Sequence, residues 1–181
     1  MNETNRRLLM NEEEISRTLS RMAYQVWERN AGSHLALVGV HSRGVPLAQR
    51  LQQLLEGIAN SEMPVGMLDI GLYRDDLGRA GVAPLLKDTE ILFNIDDRNV
   101  ILVDDVLFTG RTVRAALNAL MDLGRPNRVE LLVLLDRGHR ELPIQADYVG
   151  TAIKTRLNEE VRVLLKETDG EEGVYLIQNQ T

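Results

Sequence analysis

Three short apolar runs constrain this chain more than any other feature: L-A-L-V-G-V at 35–40, V-I-L-V at 100–103 and V-E-L-L-V-L-L at 129–135. Each is too short for a buried helix and too continuously apolar for a strand with one wet face. Such runs suit strands of a parallel sheet covered on both sides. Helical patterns lie between them. Asn11 with Glu14 three residues later forms a capping-box signature, and Ile15, Leu19, Met22, Val26 and Trp27 follow at helical spacing, with Gly32 as the stop. Pro46 sits at the first turn of a second helix whose stripe is Leu47, Leu51, Leu54 and Leu55. A third spans 112–123, with Val113, Ala116, Leu117, Leu120 and Met121 on one side and Gly124 at its end. Residues 65–73 read as a strand, 74–90 as a polar loop, and further strands are expected near 161–165 and 174–177. The alternation predicts an α/β fold with a mainly parallel central sheet flanked by helices. A length of 181 residues fits one domain.

In open parallel sheets, ligands bind beyond the carboxyl ends of the strands. Here the three apolar runs end in Ser42-Arg43-Gly44, Asp104-Asp105 and Asp136-Arg137-Gly138. The topology brings these loops to one edge, and their convergence says more than any one of them. Alone, Ser42-Arg43-Gly44 reads as a strand-to-helix turn; in company it offers a hydroxyl, a guanidinium and open backbone to an anion such as pyrophosphate. Thr109-Gly110-Arg111-Thr112 leads into the third helix, where unpaired backbone N–H groups and the helix dipole favour a phosphate. Asp104 and Asp105 suit sugar hydroxyls or a hydrated Mg²⁺ instead. A ribose 5-phosphate has hydroxyls at one end and phosphate at the other. Tyr73 and Arg74 open the polar loop, where an arginine either closes over a phosphate or belongs to a solvated charge run.

The exclusions are as useful. Neither G-x-x-x-x-G-K-[ST] nor G-x-G-x-x-G occurs, which removes the usual nucleotide-binding routes. There is no cysteine, and His34, His41 and His139 fall at unrelated spacings, so thiolate and histidine-cluster metal sites are not expected. A net charge of −6 argues against wholesale coating of nucleic acid, although a local basic face is compatible with it. No apolar stretch spans a bilayer and the start lacks a signal-peptide core, so a cytoplasmic location with no membrane partner is expected.

The stretch Ile101 to Thr112, I-L-V-D-D-V-L-F-T-G-R-T, resembles the phosphoribosyl pyrophosphate (PRPP) signature of type I phosphoribosyltransferases. L-Y-R-D-D-L at 72–77, G-R-P at 124–126 and D-R-G-H-R-E-L-P-I at 136–144 are similar to the PyrR family, which pairs uracil phosphoribosyltransferase activity with attenuation of pyrimidine operon transcription. The resemblance implies a glycosyltransferase of pyrimidine metabolism, forming UMP and pyrophosphate from uracil and PRPP with Mg²⁺. It assigns Asp104 and Asp105 to the ribose and to catalysis, with the metal held largely through substrate. The run Asp104, Asp105, Val106, Leu107, Phe108, Thr109, Gly110, Arg111 and Thr112 becomes the PRPP loop, and Ser42, Arg43 and Gly44 the pyrophosphate loop. Tyr73 and Arg74 open a flap at about 72–92. Arg137 and Val161 contact uracil or nucleotide, within a hood at about 136–165 plus the N-terminal segment. Ser20, Arg140 and Thr155 would touch leader mRNA under control of UMP or UTP, in a homodimer or homotetramer. The chain departs from the family pattern at Gln145, where arginine is usual, at Thr151, where lysine is usual, and at Tyr24, Ser42, Gly71 and Phe108. Those departures leave open a phosphoribosyltransferase without RNA binding, or one acting on another base.

Overall fold

The computed structural model describes residues 6–31, 33–73 and 89–178. Its main sheet has five strands in the order β3-β2-β4-β5-β6: Val65–Leu68, Leu35–Val40, Asn99–Leu107, Arg128–Asp136 and Tyr148–Ala152. All four pairings are parallel. Side chains alternate between the faces. Leu37, Ile101, Val103, Leu132 and Leu134 pack with helices α1 (Glu12–Asn30) and α2 (Gly44–Ala59), through Ile15, Leu19, Met22, Leu47, Leu51 and Leu55. Val38, Val40, Leu102 and Val133 face α3 (Arg111–Leu123), through Val113, Ala116, Ala119 and Leu120.

The capping box is complete: Glu14 N–H donates to the Asn11 side chain at 2.9 Å, and Asn11 N–H donates to the Glu14 carboxylate at 2.8 Å. The helix ends at Asn30, with Ala31 as its C-cap; Gly32 lies outside the described residues. Pro46 occupies the first turn of α2, as expected, where a missing N–H leaves no hydrogen bond unmade.

A second sheet is antiparallel, in the order β1-β8-β7. It joins Arg6–Met10, Gly173–Gln178 and Glu159–Leu164, with the short α4 (Lys166–Asp169) between the last two in sequence. It brings the N-terminal segment, through β8, into one sheet with the strand that carries Val161. Tyr148–Ala152, inside the span expected for the hood, instead forms the edge of the main sheet.

Two expectations need correction. The strand expected over 65–73 stops at Leu68, because the Asp69 carboxylate accepts the Gly71 N–H at 2.7 Å and turns the chain into a 3-10 segment at Gly71–Tyr73. The strand expected over 100–103 runs on to Leu107, so Asp104 and Asp105 lie inside β4 rather than after it. No helix among the described residues is long and apolar enough to cross a membrane.

Candidate active site

Parallel pairing sets the ends of β2, β4 and β5 along one edge, and one glycine fixes how closely their loops meet. A Cβ on Gly44 would collide with the Val103 carbonyl oxygen and lie 3.3 Å from Asp104 Cα. Only a residue without a side chain lets the first turn of α2 rest on β4 here. The Ser42-Arg43-Gly44 loop is thereby held against the acidic pair. His41–Ser42 is a cis peptide bond, Ser42 is exposed and Arg43 is half-buried.

Asp104 is 6% exposed. It accepts the Asp105 N–H at 2.9 Å, and Asp105 accepts the Val106 N–H at 2.8 Å. Burial, and then the neighbouring Asp105 charge, push the Asp104 carboxyl well above the usual carboxylate range. Burial also raises Asp105, opposed in part by its hydrogen bonds with Asp104 and the Val106 N–H and then by the Arg43 charge. Two adjacent desolvated carboxylates are an unfavourable arrangement unless hydroxyls or a cation meet them.

Five residues after Asp105, Gly110 is the N-cap of α3 at φ 91°, a left-handed conformation natural to glycine. Val106 and Leu107 carry the strand towards this turn. Thr109 is half-buried, and its carbonyl oxygen accepts the Glu141 and Leu142 N–H groups at 3.0 and 3.2 Å. Arg111 Nε donates to Glu141 at 2.6 Å. Thr112 follows in the first turn of α3. The turn after β5 is thus bonded directly to the α3 N-terminus.

That turn is organised by its own arginines. Arg140 donates to the Phe108 and Ile144 carbonyls at 2.8 and 2.9 Å and pairs with Asp136, so its guanidinium is bonded inward. Arg137 is buried and lies 4.1 Å over the Phe108 ring. It donates to Thr155 Oγ1 at 3.1 Å and to the Arg156 and Glu159 carbonyls at 3.2 and 2.6 Å. Burial lowers its pKa, against the raising influence of Glu159 and Glu160. The His139 ring meets the Phe108 edge at 5.8 Å, and its Nε2 lies 2.7 Å from the Thr155 carbonyl, so Nε2 carries the proton in the neutral ring. Phe108 therefore links the PRPP-like loop to the turn after β5. Val161 is half-buried on β7, two residues beyond the Glu159 carbonyl that Arg137 binds.

Other candidates fall elsewhere. The Tyr73 hydroxyl donates to Asp122 at 2.7 Å and its carbonyl accepts from Arg114 at 3.1 Å, which ties it to α3. Arg74, with the rest of the expected flap up to residue 88, lies outside the described residues. Ser20 donates to the Ser16 carbonyl at 3.0 Å within α1, and no hydrogen bond links it to Arg140 or Thr155 among the described residues. Asp169 and Glu141 were not anticipated. Both act at long range in sequence, and Asp169 sits in an unremarkable K-E-T-D-G turn.

Residues 9–164 match the model of the phosphoribosyl transferase domain. The bifunctional protein PyrR of Deinococcus radiodurans is 55% identical over 93% of this chain and 92% of its own length. The PyrR of Herpetosiphon aurantiacus is 56% identical over 94% and 96%, and that of Thermus aquaticus 53% over 93% and 93%. Among solved structures, a hypoxanthine-guanine phosphoribosyltransferase of Bacillus anthracis superposes with a TM-score of 0.71 at 21% identity, covering 94% of this chain and 97% of that one. The Trypanosoma cruzi hypoxanthine phosphoribosyltransferase, in complex with IMP, gives 0.72 at 21% identity over 99% and 97%. At such identities the structural likeness establishes the fold alone. With the relatives above half identity across nearly their whole length, the chain belongs to the phosphoribosyltransferase family, in its PyrR branch.

Proposed function

We propose that this protein transfers the 5-phosphoribosyl group from PRPP to uracil, giving UMP and pyrophosphate. The observation that carries the reading is the seating of Gly44 on Val103, which packs the Ser42-Arg43-Gly44 turn against the strand bearing Asp104 and Asp105, at the same edge as the α3 N-terminus. The acidic pair accepts the ribose hydroxyls. The backbone N–H groups and hydroxyls of Thr109 to Thr112 hold the 5-phosphate. Ser42, Arg43 and Gly44 take the pyrophosphate. The Arg137 turn and Val161 border the uracil, and Tyr73 and Arg74 begin the flap. The C1–pyrophosphate bond breaks, its electron pair leaving on the pyrophosphate oxygen, as the bond from C1 to the uracil nitrogen forms, and the proton of that nitrogen passes to solvent. The protein's contribution is alignment and stabilisation of the departing anion, with no covalent nucleophile.

Mg²⁺ fits the donor set as a partner of substrate oxygens. Asp104 and Asp105 offer hard carboxylate oxygens, and no cluster of three or more His, Cys, Asp or Glu side chains among the described residues forms a cage of its own. When bound, the metal would neutralise pyrophosphate charge. Initial rates with uracil, cytosine, hypoxanthine and guanine competing for one PRPP pool test the reading; uracil should dominate, and preference for a purine would refute it.

The second activity is attenuation of pyrimidine operon transcription through UMP- or UTP-dependent binding of leader mRNA, with Ser20, Arg140 and Thr155 as candidate contacts. Support comes from membership of a branch whose relatives are named bifunctional. A homodimer or homotetramer accompanies it, consistent with the exposed Leu92, Met121 and Leu123. Salt-dependent RNA affinity with and without UMP tests this part, and absence of binding at low salt would remove it.

A further inference from the structure

Arg43 is the cation of the pyrophosphate loop, and it does not hang free. Its Nε and Nη2 donate to the two oxygens of Asp169, at 3.2 and 2.8 Å. Asp169 ends α4, between two strands of the antiparallel sheet, 126 residues away in sequence. Its carboxylate is itself fixed, accepting the Leu165 N–H at 2.9 Å and the Thr168 hydroxyl at 3.1 Å. The segment around it is anchored separately: Glu167 pairs with Arg50 at 2.8 Å, Glu172 pairs with Arg50 at 2.6 Å, and Lys166 pairs with Glu12.

We propose that Asp169 is a positioning residue for pyrophosphate, gripping one edge of the Arg43 guanidinium and leaving the other for the ligand. A guanidinium has five N–H donors in a rigid fork. Asp169 occupies the Nε–Nη2 edge. Among the described residues, Nη1 has no protein acceptor, and the Arg43 side chain is about one-third exposed at 32%. An arginine on an unsupported stem would lose its rotamer freedom when the anion arrives; here much of that ordering is already done. A carboxylate beside an anion site also repels the ligand. The bidentate geometry puts the guanidinium charge between the two anions, so orientation outweighs repulsion. A turn between two strands of the antiparallel sheet thereby acts on a loop of the parallel sheet.

This inference rests on the assignment of Arg43 to pyrophosphate, and the experiment separates the two. Product inhibition by pyrophosphate, the KM values for PRPP and uracil, and the melting temperature are measured for the full-length wild type, Asp169→Ala, Asp169→Asn, Glu167→Gln, Arg43→Ala and Arg43→Ala/Asp169→Ala. Asp169→Ala should raise the pyrophosphate inhibition constant and the PRPP KM about tenfold, the scale of one charge-assisted hydrogen bond, with the uracil KM changed by less than about twofold. Asp169→Asn keeps one acceptor oxygen and should fall between; it also serves if the alanine variant does not fold. Glu167→Gln loosens the same segment without touching Arg43, and should lower the melting temperature but not pyrophosphate affinity. In the Arg43→Ala background, removing Asp169 should add nothing. Unchanged or tighter pyrophosphate binding in both Asp169 variants would overturn the inference, as would an equal loss in Glu167→Gln. Should Arg43→Ala itself leave pyrophosphate inhibition unchanged, the pyrophosphate assignment fails first.

Discussion

Gly44 rests directly on the Val103 carbonyl, and this contact couples the turn into α2 to the strand that carries the acidic pair. The atoms nearest a methyl group there are all backbone of β4, with no flexible side chain to yield. Gly44→Ala should therefore cost roughly 3 kcal/mol, the scale of forced overpacking, and lower the melting temperature by about 10 °C in a chain of this size. It should also raise the PRPP KM, because the Ser42-Arg43-Gly44 turn is pushed away from β4. A melting temperature within about 1 °C of wild type would show that the loop does not sit this tightly.

Asp104 and Asp105 oppose stability through their burial. Both are desolvated, and burial raises both carboxyls. The double substitution Asp104→Asn/Asp105→Asn removes that penalty and keeps the shape. Thermal unfolding should show it at least as stable as wild type while its turnover is nearly abolished. A large drop in melting temperature would mean that the pair is a structural element.

Phe108 supports Arg137 through its ring face. Phe108→Leu keeps apolar bulk but removes the cation–π contact, for a stability loss of about 1 kcal/mol. Released from the ring, the Arg137 turn should bind uracil less well, raising its KM several-fold with little change for PRPP. Equal KM shifts for both substrates would contradict a role confined to the base side.

Glu130 sets an acid limit far from the site. Its side chain is 1% exposed, and it accepts from Asn30 at 2.9 Å and Tyr148 at 2.7 Å while pairing with Arg128 and, at 3.2 Å, with Arg29. Burial alone would raise its carboxyl, but these partners overturn that, and the net shift is downward from 4.5. A lowered folded-state pKa contributes stability above 4.5, which is lost as pH falls through the folded value. Melting temperatures of wild type and Glu130→Gln should differ at pH 7 and converge in acid below that pH. A gap that stays constant with pH would exclude this linkage.

Gln145→Arg with Thr151→Lys restores the two cations that the PyrR pattern carries. Both present residues lie on or beside β6, which α1 grips through the Arg21 guanidinium on the Gly150 carbonyl at 2.6 Å. Each restored phosphate contact should steepen the salt dependence of leader-RNA binding by about one unit. A large affinity gain would place these positions on the RNA face, and no change would place that face elsewhere.

Much of the fold could be read locally because local chemistry specifies it. The capping box at Asn11 and Glu14, the α2 stripe and the apolar strands all lie within single turns or strands. The acidic pair disguised the length of β4, since carboxylates rarely continue a buried strand. Arg6–Met10 carries exposed arginines at its start and finds its partner in β8, some 170 residues on, so no local pattern marks it. Tyr148–Ala152 is short, half-buried and interrupted by Gly150, which hid the edge strand. The candidate site loops, like the helices, could be named from the sequence because each is a local stretch at a strand end. Their supports were not: Asp169 under Arg43, Glu141 on Arg111 and Thr155 on Arg137 come from other parts of the chain.

The central claim is that the loops after β2 and β5 and the β4–α3 segment form one site for PRPP and uracil. Steady-state UMP formation from PRPP and uracil with Mg²⁺, by wild type beside Asp104→Asn/Asp105→Asn, tests it most directly. The account predicts ready turnover in the first and a loss of at least about a thousandfold in the second, comparable to removing preorganised electrostatic groups from an enzyme site. Equal rates in the two proteins would contradict it.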